Sequence, residues 1–187
     1  MRVNIVKKIV VNILAFLIFF VFISVDVIAD ESRGIDVFVV MDNSGSMVKN
    51  DRNNLRFHVV KNFIHLLNLG DSIGVMNFDT ETQMQLPITE IKNQDDRRFL
   101  EEQIVPSLSN KDTDVYAALS AAFQEMKGNV LSNNIKFFIL VTDGVIDPSP
   151  EFRISDEFRD KYYEKLNLLI KEYEDNIWPI FVVFFNP

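Results

Sequence analysis

Cysteine is missing from this 187-residue sequence, and its absence removes several chemistries at once. Without it there is no disulfide, no thiolate metal site, no cysteine nucleophile and no lipidated cysteine of the bacterial lipoprotein kind. Histidine is nearly as scarce: His58 and His65 stand seven apart in one helical stretch, with no carboxylate or Cys placed to complete a metal site around them. Glycine and proline number six each, and no Pro- or Gly-rich linker, internal repeat, low-complexity tract or G-x-x-x-x-G-K-[ST] phosphate loop occurs. Basic charge is also short, with 19 Lys and Arg against 27 Asp and Glu. Setting residues 1–29 aside removes Arg2, Lys7, Lys8 and Asp26, which leaves 16 basic against 26 acidic residues and a net charge of −10. So acidic a surface repels phosphate backbones and anionic headgroups, which excludes nucleic acid as an expected partner and favours cations.

What is present suits one folded domain, because 48% hydrophobic and 12% aromatic residues are enough for a real core. The first 29 residues read as a separate unit. Arg2, Lys7 and Lys8 precede an apolar run from Ile9 to Val25, and Val27-Ile28-Ala29 forms a cleavage site for a signal peptidase after Ala29. The alternative is an uncleaved anchor, for which the run is at the short limit of a bilayer span. Either way the expected domain, residues 30–187, is exported: periplasmic, cell-surface or secreted, with membrane contact only through residues 1–29 if they stay attached.

From residue 35 onward, apolar runs alternate with amphipathic stretches. Ile35–Met41, Ser72–Phe78, Ile135–Thr142 and Trp178–Phe185 are short and nearly continuous in apolar residues, the pattern of parallel strands covered on both faces. Leu55, Val59, Val60, Phe63, Ile64 and Leu67 predict a helix, with Asp51 or Asn53 to cap it and Gly70 beyond its end. A second helix is predicted over Thr113–Lys127 and a third over Asp156–Tyr173, the latter burying Phe158, Tyr162, Leu166, Leu169, Ile170 and Tyr173. Residues 83–91 alternate and contain Pro87, as an edge strand does. A short helix, Asp95–Val105, follows with Asp95 as its cap. Trp178 and the Phe-rich strands read as core, and Asn133-Asn134 as a turn. The predicted fold is α/β, a doubly wound and mostly parallel sheet flanked by helices, whose ligands belong at the carboxyl ends of the strands.

Three strand-end or helix-start loops are rich in oxygen: Asp42-Asn43-Ser44-Gly45-Ser46, Lys111-Asp112-Thr113-Asp114 and Thr142-Asp143-Gly144. Hydroxyls and carboxylates converging without sulfur or imidazole suit a hard divalent cation. Taken alone, Asp42, Ser44 and Ser46 could equally serve turn chemistry, since Asp and Ser hydrogen-bond their own backbone. Asp112 and Asp114 read as support for a helix N-terminus, and Asp79 and Asp147 as solvated loop acids.

D-x-S-x-S after a hydrophobic strand, T-D-x-Y-x-A-L at a helix start and hydrophobic-T-D-G, in that order, resemble the von Willebrand factor type A domain with its metal-ion-dependent adhesion site. The resemblance covers residues 35 to about 185 and implies a Rossmann-like fold. It implies metal ligands at Asp42, Ser44, Ser46, Thr113 and Asp143, with Mg²⁺ as the ion and Mn²⁺ or Ca²⁺ as substitutes. It also implies a non-enzymatic module in which a protein partner's Asp or Glu completes the metal's coordination. Two departures stand out. Asp112 occupies a position where the family commonly has Gly, and the sequence stops at Asn186-Pro187, where the family usually continues with one more strand and a helix. On that count the chain reads as shortened, or as having that sheet edge covered by something else. Two other readings compete: a metal-dependent hydrolase or phosphoryl-transfer enzyme, and a truncated fragment that binds no metal. Against the first, the position two after Asp42 is Ser44 rather than a second Asp.

Overall fold

The computed structural model describes residues 33–107, 109, 111–128, 133–144 and 155–185; the predicted signal or anchor segment, residues 1–29, and Asp147 lie outside them. The elements run β1 (Ile35–Asp42), α1 (Met47–Asn50), α2 (Leu55–Leu66), β2 (Ser72–Phe78), β3 (Thr82–Glu90), α3 (Gln94–Gln103), α4 (Val115–Gly128), β4 (Ile135–Thr142), α5 (Asp156–Asp175) and β5 (Ile180–Phe184). Among the described residues no helix is long and apolar enough to cross a membrane.

The strands form one sheet in the order β3-β2-β1-β4-β5. β1 lies parallel to β2 on one side, with Asp42 opposite Phe78, and parallel to β4 on the other, with Met41 opposite Val141. β4 and β5 are also parallel, whereas β3 runs antiparallel to β2, with a register shift between Ile73 and Val75. Pro87 falls opposite that shift; a residue without an N–H is accommodated at an irregular edge strand and not inside a regular ladder. β1 is thus the strand from which the chain winds both ways, and the carboxyl ends of β1 and β4 open side by side at the switch point.

Alternate strand residues face opposite sides of the sheet. Phe38, Val40, Met76, Phe78, Phe138 and Leu140 meet the buried faces of α4 (Val115, Ala118, Leu119, Ala122, Phe123, Met126) and α5 (Tyr162, Leu166, Leu169, Tyr173). At the centre, the Phe138 ring stands edge-on to Tyr173 with centroids 4.6 Å apart, and Phe123 meets Tyr173 and Trp178 at 5.1 Å each. Phe138→Ala leaves a ring-sized hole among groups that cannot all collapse into it. We expect it to cost about 3–5 kcal/mol in urea unfolding; a loss below 1 kcal/mol would show that this face is loosely packed.

The other face of the sheet carries Val37, Val39, Met41, Ile73 and Val75, which are fully buried, and α2 and α3 meet each other through Arg97, which donates to the Ile64 carbonyl at 2.7 Å. Several expectations are corrected here. The buried stripe of α2 is Arg56, Phe57, Val60, Phe63 and Ile64, while Leu55 and Val59 are each 50% exposed. Val60, Phe63, Ile64 and Leu67 of the expected stripe are buried, while Arg56, a charged residue with partners inside, and Phe57 take the inward places that Leu55 and Val59 do not. α3 is capped by Asn93, not Asp95: the Asn93 side chain accepts from the backbone N–H groups of Asp95 and Asp96, while Asp96 accepts in return from the Asn93 N–H. Phe158 is exposed at the start of α5, and β5 shows Val182 and Phe184 to solvent, as a strand does at the sheet edge. Trp178 is half-buried. The helix α1 falls directly after the Asp-Ser-Ser loop, where no periodicity signalled one.

Candidate metal centre

Asp42 is the last residue of β1 and is completely buried. Its two carboxylate oxygens are held from two directions: Oδ1 accepts from the Ser44 N–H at 2.9 Å, and Oδ2 from the Thr142 hydroxyl at 2.6 Å. The second bond crosses from β1 to the end of β4 and ties two of the three loops together. Thr142 Oγ1 in turn accepts from the Gly144 N–H at 3.1 Å. Gly144 has φ of +86°, a backbone state that favours glycine, so the T-D-G sequence is the turn that lets Thr142 reach both ways.

Turn chemistry accounts for only part of the first loop. Asp42 makes the short-range bond to its own backbone, but Ser46, at the N-cap position of α1, makes no capping hydrogen bond. Its hydroxyl lies instead 3.2 Å from the hydroxyl of Ser44. Two hydroxyls side by side next to a buried carboxylate form a cluster of hard oxygen donors. Asp143 adds another: one of its oxygens accepts from the Asn50 side-chain amide at 2.9 Å, and the charge of Asp143 is close enough to raise the Asp42 pKa.

The middle loop comes in through its backbone. Gly45 N–H donates to the Lys111 carbonyl at 3.1 Å, two residues before Thr113, and Thr113 itself is buried. Asp114 supports the helix that follows, accepting from the Ala117 N–H at 2.9 Å and from the Tyr162 hydroxyl at 3.2 Å. Asp112 is half-buried. Direct contacts therefore join Asp42, Ser44, Ser46 and the Thr142-Asp143 loop, whereas the loop of Thr113 is tied to them through the Gly45–Lys111 backbone bond alone. Asp79 ties in the next hairpin, its carbonyl accepting from the Asp114 N–H at 2.8 Å. His58 and His65 are exposed on α2, and His65 pairs with Glu101. Among the described residues no group of three or more His, Cys, Asp or Glu is gathered, so a cation here would be held by hydroxyls and two carboxylates.

The electrostatics fit such an ion. Burial, above all, lifts the Asp42 carboxyl above its ordinary value; hydrogen bonds from Ser44 and Thr142 pull it partly down, and Asp143 pushes it up. The groups that ease the charge are neutral, and the neighbouring charge has the same sign, the condition that a divalent cation relieves. A metal-free test follows. Because the folded chain holds the Asp42 proton more tightly than the unfolded chain does, Asp42 weakens the fold as pH rises from the ordinary value of 3.8 through the raised one. We expect the stability of the wild type relative to Asp42→Asn, measured by urea unfolding in EDTA, to fall over that window and then level off. A relative stability that rises with pH would contradict the buried, unrelieved charge.

Sequence reasoning missed the supports of the site. Asp51 accepts from the Leu55 N–H at 2.6 Å and the Arg56 N–H at 3.2 Å, and so caps α2, while also holding the Arg56 guanidinium at 2.7 Å. Both side chains of that pair are buried. The same guanidinium donates to Asn43 Oδ1 at 3.0 Å, and Asn43 Nδ2 donates to the Ser107 hydroxyl at 3.1 Å. A buried charge pair thus backs the residue between Asp42 and Ser44. The only hint in the sequence was Asp51 as a cap; nothing there pointed Arg56 inward.

A model of the von Willebrand factor type A domain matches residues 37–145. Among solved structures, an aerotolerance-related membrane protein from Bacteroides fragilis carrying multiple mutations to serine superposes with a TM-score of 0.58 at 20% identity, covering 81% of this chain and 67% of that one. BatB from Bacteroides thetaiotaomicron gives 0.54 at 21% identity, with 81% and 66% covered. Proximal thread matrix protein 1 from the mussel byssus gives 0.58 at 21% identity, with 83% of this chain but 37% of that one covered. The chain thus spans about two thirds of the two bacterial structures and little more than a third of the mussel protein. No curated protein sequence matches it.

Proposed function

The chain belongs to the von Willebrand factor type A domain family, and from that premise we propose that it is a non-enzymatic, divalent-metal-dependent protein-binding module of the cell envelope. The observation that carries this reading is the Ser44–Ser46 hydroxyl pair beside the buried Asp42, whose carboxylate is held by neutral donors. Asp42, Ser44, Ser46, Thr113 and Asp143 would hold the ion, Mg²⁺ first, with Mn²⁺ or Ca²⁺ as substitutes. When bound, it supplies a positive centre for an Asp or Glu carboxylate of a partner protein. The chain's own residues do the rest: Thr142 and Asn50 fix the two carboxylates, and Arg56 fixes Asn43 behind the loop. Export through residues 1–29, as cleaved signal or anchor, agrees with the kinds of protein whose structures it resembles, a membrane protein and a byssal matrix protein among them.

The test is capture from an envelope extract by the full chain in mild detergent. Retention in MgCl₂, release by EDTA and loss in Asp143→Ala are the expected results. If Asp143→Ala left both metal affinity and retention unchanged, the proposal would be wrong.

A further inference from the structure

Residues 52–70 contain no Asp or Glu, although 26 of these acids are spread over residues 30–187. The two that bracket the stretch are turned inward. Asp51 is buried against Arg56, and Asp71 is buried with its carboxylate accepting from the Ile35 N–H at 2.8 Å and the Asn68 N–H at 2.6 Å. Helix α2 runs through this stretch, and its outer face carries Leu55, His58, Val59, Asn62, His65 and Leu66 at the three- and four-residue spacing of one helix side. Leu55 and Val59 are each 50% exposed, Leu66 is 63% exposed, and Leu69, in the turn beyond the helix, 58%. A single exposed leucine needs no explanation, but three apolar residues in line on one helix, with a fourth just past its end, form a patch.

Charge, topology and the entry of the chain indicate what covers it. Besides the histidines, the ionisable groups that the stretch shows to solvent are Arg52 and, half-buried, Lys61. Glu101 of α3 reaches the patch but is taken up by His65. Right-handed crossovers taken in opposite directions, β1 to β2 and β4 to β5, put α2 and α5 on opposite faces of the sheet. The acid-rich α5 (Asp156–Asp175) therefore points away from the patch, and its field is screened beyond about 8 Å at physiological salt. The end of α2 lies where the chain enters the sheet: a Cβ on Gly34 would stand 2.9 Å from the Gly70 carbonyl oxygen. The apolar run Ile9–Val25 ends so close in sequence that the link from Val25 to Gly34 spans about 30 Å at most.

We propose that the outer face of α2 rests on the anionic surface of the bilayer that the run Ile9–Val25 enters. Leu55, Val59, Leu66 and Leu69 sit among the headgroups, and Arg52 and Lys61 meet lipid phosphates. The net charge of the domain as a whole opposes such a surface, but α2 is the side from which acids are withheld. The metal loops, joined to the start of α2 through Asp51, Arg56 and Asn43, then open along the membrane plane. The proposal rests on residues 1–29 remaining as an anchor, and not on the metal.

A chain without cysteine accepts a single fluorescent label cleanly. The full chain with residues 1–29 retained is placed in nanodiscs, of phosphatidylglycerol mixed with phosphatidylcholine or of phosphatidylcholine alone. The label is carried at Val59→Cys or, as control, at Leu168→Cys on α5, a position 60% exposed. With phosphatidylglycerol, the label on α2 should shift to the blue and lose its quenching by acrylamide, an uncharged quencher, while the label on α5 does neither. Adding Leu66→Glu/Leu69→Glu, both at exposed positions, should restore the quenching and leave Mg²⁺ uptake by the same discs unchanged. Full quenching on α2 in the anionic discs, or equal protection in both lipids, would overturn the inference and leave the metal-bridging function standing. Protection in detergent that fades on dilution would assign the face to a second copy of the chain and overturn it as well. So would a native chain cut after Ala29 and recovered as soluble protein.

Discussion

Arg56→Met should destabilise the domain by about 3–5 kcal/mol, although it removes no part of the metal cluster. The methionine keeps the apolar length of the side chain but withdraws the guanidinium that satisfies Asp51, Asn43 and the Ser107 carbonyl. Asp51 is then a buried carboxylate with only the Leu55 and Arg56 N–H groups to hold it, and Asn43 loses the donor that fixes its amide. Removing one partner of a buried pair leaves the other's desolvation uncompensated, which is why the loss exceeds the worth of the pair itself. Two readouts separate the consequences. Urea unfolding gives the stability loss, and the double variant Asp51→Asn/Arg56→Met should recover much of it, because no charge is left stranded and an oxygen remains to accept from the first N–H groups of α2. Metal affinity should fall in both, because Asn43 is released in both. If Arg56→Met unfolded like wild type, the pair would not be buried as described.

The second large effect is the loss of metal-induced stabilisation in Ser44→Ala/Ser46→Ala. A ligand that binds only the folded state at a hundred times its Kd stabilises by about 2.7 kcal/mol, so Mg²⁺ should raise the unfolding temperature of the wild type by several degrees. Removing the two hydroxyls, which lie 3.2 Å apart, should remove that rise while lowering the metal-free melting temperature by only a few degrees, the cost of the Ser44 side-chain hydrogen bond to Asp42. A metal-free melting temperature that dropped sharply in the variant would mean that the hydroxyls serve the turn. A rise that persisted would mean that the ion binds elsewhere.

Much of this architecture is legible in the sequence, because a strand covered on both faces must be apolar along most of its length, and β1, β2 and β4 are, with Asp36, Asn77 and Lys136 as interruptions. The loops at their ends stand out for the opposite reason: oxygen side chains crowd where a bare turn would have served. The elements that resisted reading are those where a tertiary partner overrode the local pattern. Of the apolar stripe expected for α2, Val60, Phe63, Ile64 and Leu67 are buried, but Leu55 and Val59 are not, and the Asp51 and Asn43 side chains give Arg56 a place inside. Asn50 meets Asp143 across 93 positions, a pairing that no periodicity encodes. Strand β5 is as apolar as β4, yet its edge position leaves Val182 44% and Phe184 64% exposed. Composition records that a strand can be buried, and its place in the sheet decides whether it is.

The most direct test of the central claim is a calorimetric titration of Mg²⁺, and then Mn²⁺, into the EDTA-stripped full chain, beside the Ser44→Ala/Ser46→Ala variant. One saturable site in the wild type, absent from a variant that still melts cooperatively, is the predicted result and would establish that the β1 and β4 loops form a metal centre. A well-folded wild type that takes up neither ion would contradict it, leaving Asp42, Ser44 and Ser46 as a turn.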